Sequence, residues 1–288
     1  IAYLQGGNLW TMKCDGTDKK QLSQGEDIEG YKFSPDGKQI VVIRQVASTT
    51  SIMPKEKDLP LATGLVINDM NYRHWDQYVQ TIPHIFLASV EKDGLGEMKD
   101  LLEGEPYECP VLPFGGSEQF CWSPDGKQIA YTSRKKTGVD YATSTDTDIY
   151  IYNVETGQTT NVCKPEGYVE PKADALKSLE KQAKNQQSED INAGYDQDPQ
   201  FSPDGTMLAW KSMERDGYES DRLRLCILNL KTGTKSYVTE QFESGVDAFS
   251  WAEDNKTLYF TGVWQARTMV YQTNLKGEVE VLTTGVYD

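Results

Sequence analysis

A twelve-residue segment occurs four times in this chain of 288 residues. Three copies are nearly alike and the fourth has diverged: FSPDGKQIVVIR (33–44), WSPDGKQIAYTS (122–133), FSPDGTMLAWKS (201–212) and WAEDNKTLYFTG (251–262). In the first three, Pro presets φ for the second turn position, Asp suits the third, and Gly accepts a positive φ at the fourth. Alternating apolar residues on both sides of the turn indicate a β-hairpin. Asn255 replaces Gly in the fourth copy, and Asn also tolerates a positive φ.

A second hairpin pattern recurs along the chain. Each segment has two runs of alternating apolar residues around a Gly-containing turn; the clear ones are 148–162, 223–238 and 269–282, and the looser ones are 9–22 and 84–101. Two hairpins make four strands, so the repeating unit is predicted to be a four-stranded antiparallel sheet. Radial stacking of such sheets in a β-propeller covers both faces of each sheet. A large β-sandwich gives no reason for one hairpin to repeat at this period.

The repeats therefore predict an all-β fold, a β-propeller fragment of about five blades in one domain over residues 1–288. Complete four-stranded blades are expected at about 28–104, 117–163, 198–240 and 247–284. The opening IAYL (1–4) matches QIAY (128–131) and indicates the second strand of an incomplete first blade. The final GVYD (285–288) is interpreted as the start of another blade or as a strand for the first.

Two insertions interrupt this pattern, at residues 46–83 and 164–197. In the first, NDMNYRHWDQYV (68–79) is predicted to make one or two helical turns. Its Trp75 is expected to pack into the blade, beside an Arg-Asp pair. In the second, ADALKSLEKQAK (173–184) favours a helix. Insertions of this size on a propeller usually line one rim, where binding occurs.

The composition limits the partners of the chain. Its 44 acidic residues outnumber its 29 Lys and Arg residues, for a formal net charge of −15. Nucleic-acid binding needs clustered basic residues, so no nucleic-acid partner is expected. The acidity fits either simple solubility or an acidic cavity that attracts positively charged peptide ends. No apolar run approaches the roughly 20 residues of a membrane span.

The five cysteines form no CxxC pair, and only two histidines are present, His74 and His84. The common zinc-binding patterns are therefore absent, and neither a metal site nor a cofactor is expected. The odd number of cysteines leaves at least one thiol free in a single chain. The cysteines do not fix the redox compartment.

The segment KSMERDGYESDRLRL (211–225) joins the two hairpins of one predicted blade and concentrates acidic and basic residues around a Gly-Tyr pair. One interpretation is a solvated loop whose charges pair with one another. The other is a cluster at the mouth of the propeller whose carboxylates hold the amino group of a peptide.

Three segments resemble the propeller of bacterial serine exopeptidases of the prolyl oligopeptidase family: RHWDQYVQTIPHIF (73–86), SMERDGYESDRLRL (212–225) and VDAFSWAEDNKTLYFTG (246–262). The SPDGK hairpins are weakly specific, because TolB-like propellers also carry them. The RHWD and GYESD segments, in the right blades and order, are more specific. The resemblance covers essentially the whole chain and points to the N-terminal propeller of the dipeptidyl peptidase V and acylaminoacyl peptidase branch.

This resemblance implies a non-catalytic part of a peptidase that gates access and recognises peptides. The second half of such enzymes is an α/β-hydrolase domain with a Ser nucleophile in a Gly-x-Ser-x-Gly turn, then Asp and His. The present sequence has no Gly-x-Ser-x-Gly, and both histidines precede residue 85. A Ser-His-Asp triad is therefore not expected here. The implied partners are short peptides and the hydrolase domain of the same protein, and the implied location is periplasmic or secreted.

By position, Arg215, Glu219 and Asp221 are the candidates for substrate binding at the rim that faces the hydrolase domain. They are matched to the family by segment only. The alternative function is a stand-alone TolB-like propeller that acts through protein–protein contacts, because a fold alone does not separate the two. Dipeptidyl versus acylaminoacyl specificity and the oligomeric state stay open at this point.

Overall fold

The structure is a computed structural model that describes residues 1–49, 52–54, 58–59, 61–70, 72–165, 167–168, 190–283 and 285. The helix predicted at 173–184 lies outside these residues. Two compact units are present: unit 1 comprises Ile1–Gln119 and Ser133–Thr143, and unit 2 comprises Phe120–Thr132 and Ser144–Asp288. Whether residues 1–288 form a single domain stays a prediction. None of the helical segments that the structure describes has the length and apolarity of a membrane-crossing helix.

Unit 1 begins with a three-stranded antiparallel sheet, made of β1 (Ala2–Gln5), β2 (Asn8–Thr11) and β3 (Lys20–Gln21). Its first hairpin turns at two glycines, Gly6 and Gly7, which both have positive φ. This sheet confirms the incomplete first blade that the IAYL match predicted.

The second sheet of unit 1 is larger than predicted. The strands of this region are β4 (Gly30–Phe33), β5 (Gln39–Ala47), β6 (Ile52–Pro54), β7 (Leu65–Ile67), β8 (Arg73–His74), β9 (Gln77–Tyr78), β10 (Thr81–Glu91), β11 (Gly94–Leu95) and β12 (Lys99–Asp100). The sheet order is β11-β10-β5-β4, and β12 also pairs with β10. It therefore has five strands instead of the predicted four, because the long β10 pairs with two short strands along one side.

The prediction for residues 68–79 was wrong. Instead of helical turns, β8 and β9 form a two-stranded hairpin, and β6 and β7 form another. Trp75 sits in the two-residue connection between β8 and β9 with φ of 50°, which a helix does not allow. Its side chain is 73% exposed and meets Phe114 edge-on, with ring centroids 5.7 Å apart, so it is not packed into the blade. Arg73 lies over the ring of Tyr78, with 5.6 Å from its Cζ to the ring centroid.

Two short helical segments were not predicted, a 3-10 turn at Ser117–Gln119 and α1 (Gly138–Thr143).

Unit 2 contains three four-stranded sheets. Their strands are β13 (Phe120–Trp122), β14 (Gln128–Ser133), β15 (Asp148–Asn153), β16 (Thr159–Asn161), β17 (Asp196–Phe201), β18 (Met207–Ser212), β19 (Arg224–Asn229), β20 (Lys235–Tyr237), β21 (Ala248–Trp251), β22 (Thr257–Trp264), β23 (Arg267–Asn274) and β24 (Val279–Val281). Each sheet follows chain order and pairs its strands antiparallel. The architecture is the predicted β-propeller fragment.

Within each unit, neighbouring sheets pack face to face, as propeller blades do. One core cluster joins the sheet β13–β16 to the sheet β17–β20, with the fully buried Trp210 packed among Ala130, Ile149 and Leu208. A second cluster joins β17–β20 to β21–β24. In unit 1, a third cluster joins the three-stranded sheet to the five-stranded one. Burial of these apolar faces is the main stabilising contribution to the fold.

The turns of the repeated segment have the predicted backbone. The three glycines at the fourth turn position have φ of 70° (Gly37), 70° (Gly126) and 71° (Gly205), and Asn255 has φ of 59°. In the first turn the Ser34 hydroxyl donates to Asp36 Oδ1 at 2.7 Å, and the other two SPDG turns repeat this bond. The register predicted for all four hairpins is therefore confirmed.

Replacement of Gly37 tests the contribution of this backbone conformation. A Cβ at this position meets no atom within 4 Å, so only the positive φ opposes a side chain. Gly37→Ala should lower the free energy of unfolding by about 1 kcal/mol in urea titrations. Gly37→Asn is the matched control and should cost less, because Asn occupies the same conformation at position 255. Equal losses in both variants would contradict this interpretation.

Candidate functional site

The segment 211–225, called the loop 211–225 below, contains the connection between β18 and β19 (residues 213–223). It is fixed by contacts with residues 144–145, which lie between β14 and β15. Asp216 Oδ1 accepts hydrogen bonds from the Ser144 hydroxyl and from the Thr145 backbone N–H, both at 2.7 Å. The Gly217 N–H donates to Thr145 Oγ1 at 2.9 Å. The position of this loop is thus set by the connection between β14 and β15, where sequence reasoning placed no functional residue.

Two of the three predicted site residues pair with each other. Arg215 Nε donates to Asp221 Oδ2 at 3.0 Å, its Nη2 donates to Oδ1, and its backbone N–H also donates to Oδ2 at 3.1 Å. The guanidinium lies 4.2 Å from the centroid of the Tyr218 ring. Hydrogen bonds from Arg215 hold the pKa of Asp221 below its usual value. The carboxylate of Asp221 is therefore already paired with Arg215, and this ion pair orders the loop.

Glu219 has a different environment. Its carboxylate is exposed and lies 3.4 Å from the Tyr195 hydroxyl, which donates to Oε1. Among the described residues it has no ion-pair partner, in contrast to Asp221. The loop thus presents one exposed carboxylate beside a tyrosine hydroxyl, on a segment stiffened by the Arg215–Asp221 pair. This arrangement can accept hydrogen bonds from an ammonium group.

A second polar cluster in unit 2 joins the described residues at the two ends of the insertion 164–197. Lys164 Nζ lies 2.7 Å from Asp146 Oδ1 and 2.9 Å from Asp148 Oδ1. It also donates to the carbonyl oxygens of Ile191 and Asn192, at 2.8 and 3.1 Å. Burial alone lowers the pKa of Lys164, but the two carboxylates outweigh it and raise the pKa above the usual value. The ion pairs and hydrogen bonds of Lys164 thus connect the start of the insertion with residues 191–192 near its end.

Asp196 is the most buried acid of this cluster. The residue is 0% exposed, and its Oδ1 accepts from Trp210 Nε1 at 2.7 Å. Burial raises the pKa of Asp196 to about 8. Asp148, Cys163 and Asp196 each place one potential metal-ligand atom within 4.8 Å of the others. Sequence reasoning missed this cluster because its members are far apart in the chain and follow no local pattern.

Unit 1 contains a further buried acid, Glu108. It is 1% exposed, and its Oε1 accepts hydrogen bonds from the Tyr141 hydroxyl and from the Leu112 N–H, the latter at 3.1 Å. The Arg134 guanidinium stacks on the Tyr141 ring at 4.1 Å. Burial raises the pKa of Glu108 to about 7. Because solvent does not reach Glu108, we interpret the cluster as an anchor that holds α1 on residues 108–112.

An aspartate–histidine pair is also present in unit 1. His84 Nδ1 lies 2.9 Å from Asp100 Oδ2. In a serine hydrolase the other ring nitrogen, Nε2, takes the proton of the serine hydroxyl. His84 Nε2 is buried and has no hydrogen-bond partner among the residues that the structure describes. The pair therefore shares the His–Asp contact of a triad, but no nucleophile is hydrogen-bonded to the buried Nε2 in that part of the chain.

Comparison of structures supports the fold. The acylaminoacyl peptidase of Pyrococcus horikoshii matches 99% of this chain with 37% of its own, at 13% identity and a TM-score of 0.60. A protein assigned as TolB from Agrobacterium tumefaciens matches 97% of this chain with 75% of its own, at 14% identity and a TM-score of 0.52. No protein-family model matches the chain. At such identities the likeness establishes the fold alone.

Sequence relatives share far more identity with the chain than these solved structures do. The dipeptidyl-peptidase 5 of Porphyromonas gingivalis is 43% identical over 265 residues, which are 91% of this chain and 34% of the relative. That of Porphyromonas endodontalis is 41% identical over 294 residues, which are 100% of this chain and 39% of the relative. The chain is thus a β-propeller segment related to dipeptidyl-peptidase 5 along nearly its whole length, as expected of the propeller of a prolyl oligopeptidase-family peptidase. It spans between a third and two fifths of those relatives' length.

The raised pKa of Glu108 predicts a pH-dependent stability. The native state keeps the proton up to about pH 7, whereas the unfolded chain releases it near the ordinary value of 4.5. The wild type should therefore lose stability relative to Glu108→Gln as pH rises through this window, by up to about 3 kcal/mol. Gln keeps the Oε1 acceptor for Tyr141 and carries no charge. Urea unfolding between about pH 4 and about pH 8 measures the difference.

The control for this prediction is Glu103→Gln, which changes an exposed glutamate of the same unit. Its difference from the wild type should be independent of pH. A difference between the wild type and Glu108→Gln that stays constant across the window would show that Glu108 titrates normally in the native state.

Proposed function

We propose that this chain is the non-catalytic propeller of a serine exopeptidase that acts on short peptides. In this proposal the chain limits the size of substrates that reach the active site and contributes contacts to the substrate. Its partner is an α/β-hydrolase domain of the same protein, which supplies the Ser, His and Asp of the triad.

One observation carries the proposal. The chain is 43% identical to a dipeptidyl-peptidase 5 along nearly its whole length, yet it matches only about a third of that relative. The sequence has no Gly-x-Ser-x-Gly segment, and among the described residues no nucleophile is hydrogen-bonded to His84 Nε2. A catalytic group outside these residues is therefore required for a serine peptidase activity.

The recognition part of the proposal rests on Glu219. A peptide α-ammonium is a cation with three hydrogen-bond donors, and carboxylates are its strongest acceptors in proteins. Glu219 offers such a carboxylate with the Tyr195 hydroxyl beside it. Arg215 and Asp221, which were predicted as direct ligands, act in this proposal by fixing the loop that carries Glu219. We propose a periplasmic or secreted location as well, supported by the family resemblance.

The alternative is a stand-alone TolB-like propeller that binds another protein. The TolB structure of Agrobacterium tumefaciens supports this alternative through its fold, since the chain matches 75% of its length. The much higher sequence identity to dipeptidyl-peptidase 5 favours the peptidase proposal.

The first test is the activity of the purified chain. Because we propose that the nucleophile lies elsewhere, the chain should not hydrolyse dipeptidyl or acylaminoacyl chromogenic substrates. A serine-directed phosphonate probe should leave it unlabelled, whereas a complete dipeptidyl-peptidase 5 treated in parallel should be labelled. Stoichiometric labelling of the purified chain would refute the non-catalytic role.

The second test is Glu219→Gln in the longer peptidase that this proposal requires. Loss of one charge-assisted contact should raise KM for dipeptide substrates with a free amino group by about tenfold. N-acylated substrates carry no ammonium, so their KM should change much less.

The matched control is Glu253→Gln, which changes an exposed glutamate of the same unit, at the turn of the fourth repeat. It should leave both KM values unchanged. A small and equal change on both substrate types in Glu219→Gln would remove Glu219 from the peptide-binding site and leave it as a surface residue.

A further inference from the structure

Three potential metal ligands from successive sheets meet at one buried point of unit 2. Asp148 opens β15, Cys163 follows β16, and Asp196 opens β17. One ligand atom of each lies within 4.8 Å of the others, and all three residues are buried. This cluster is separate in the chain from the loop 211–225, so it stands whichever function that loop has.

One carboxylate oxygen of Asp196 has no well-oriented hydrogen-bond donor. Its Oδ1 accepts from Trp210 Nε1 and from Asn192 Nδ2, at 2.7 and 3.3 Å. Its Oδ2 is buried and has no hydrogen-bond partner of good geometry within the described part of the chain, although the Ser212 hydroxyl lies near the carboxylate. The neighbouring Lys164 has three donors. Its Nζ already lies within 3.1 Å of four other oxygen atoms, those of Asp146, Asp148, Ile191 and Asn192. The lysine therefore has no donor left for Asp196.

Cys163 faces the same point with a sulfur atom. Its Sγ accepts a hydrogen bond from the Ile149 backbone N–H at 3.2 Å. Burial and the nearby Asp196 and Asp148 carboxylates favour the neutral thiol in the absence of a cation, so a bound cation is what would stabilise the thiolate here. The other acid, Asp148, is oriented by the Asn161 side-chain amide, which donates to Oδ2 at 2.8 Å and leaves Oδ1 toward Lys164 and the cluster. A buried acceptor without a donor is costly, and a cation shared with a thiolate and a second carboxylate removes that cost.

We propose that Asp148, Cys163 and Asp196 bind a divalent zinc-type metal ion. A thiolate with carboxylates suits Zn²⁺, which takes Cys sulfur and Asp oxygen as ligands. The ion would join the third and fourth strands of one blade to the first strand of the next. It would also fix the two points, residues 163 and 196, between which the second insertion runs.

The test uses the complete chain, stripped of metal and titrated with Co²⁺ as a spectroscopic substitute for Zn²⁺. The wild type should bind one Co²⁺ per chain and show a thiolate-to-cobalt charge-transfer band. Cys163→Ser should abolish the band. The matched control, Cys109→Ser, removes an equally buried thiol outside the cluster and should keep it.

Absence of the band in the wild type would overturn the proposal and leave Asp196 to be satisfied by a proton. A band that persists in Cys163→Ser and disappears in Cys14→Ser would overturn it too, because the metal would then sit at the exposed thiol. If Cys163→Ser fails to fold by circular dichroism, Asp196→Asn keeps the thiol and the side-chain shape. Competition with a chelator should then show Zn²⁺ affinity reduced by at least about tenfold; an unchanged affinity would contradict the assignment.

Discussion

Burial of the apolar faces of the antiparallel sheets, on both sides for the sheet β17–β20, is the constraint on which the rest of this structure depends. Strand β19, for example, has five consecutive buried residues, so neither of its faces is left to solvent. Only stacking against the neighbouring sheets achieves this, and the core clusters of unit 2 show it twice. Because the sheets stack with the same strand order, equivalent strand ends from successive sheets come together. The hydrogen bonds from Ser144 and Thr145 to Asp216 form near such strand ends. The Asp148–Cys163–Asp196 cluster also forms there.

Stacking also forces polar side chains at the blade ends into places that water does not reach. Each such group then needs a partner inside the protein. Lys164 satisfies carboxylates and carbonyls from both ends of the second insertion, and Glu108 takes a tyrosine hydroxyl and a backbone N–H. In the exposed loop, by contrast, Arg215 and Asp221 pair with each other, and Glu219 stays accessible. The acidic residues that are paired inside the protein thus stabilise the fold, whereas the exposed carboxylate of Glu219 is accessible to a ligand.

The sequence predicted what depends on local chemistry. A Gly or Asn at a fixed turn position and alternating apolar residues determine a hairpin and its register, so the positive φ of Gly37 and Asn255 could be foreseen. The hairpin at Arg73–Tyr78 could not, because a polar, aromatic segment fits short helical turns as well as a tight hairpin. The sequence also did not allow us to predict that Asp221 pairs with Arg215, or that Asp148 and Asp196 lie close together. Those contacts follow from tertiary packing, and residue spacing carries no signal for them.

The propeller described here is proposed to serve a catalytic domain that it does not contain, and the gene that encodes it can test this directly. The DNA sequence beyond the codon for Asp288 should continue in frame through further propeller strands. It should then encode a Gly-x-Ser-x-Gly segment followed by an Asp and a His, the order of an α/β-hydrolase triad. A stop codon shortly after Asp288, or an open reading frame without that segment, would contradict the peptidase assignment and favour a stand-alone binding propeller.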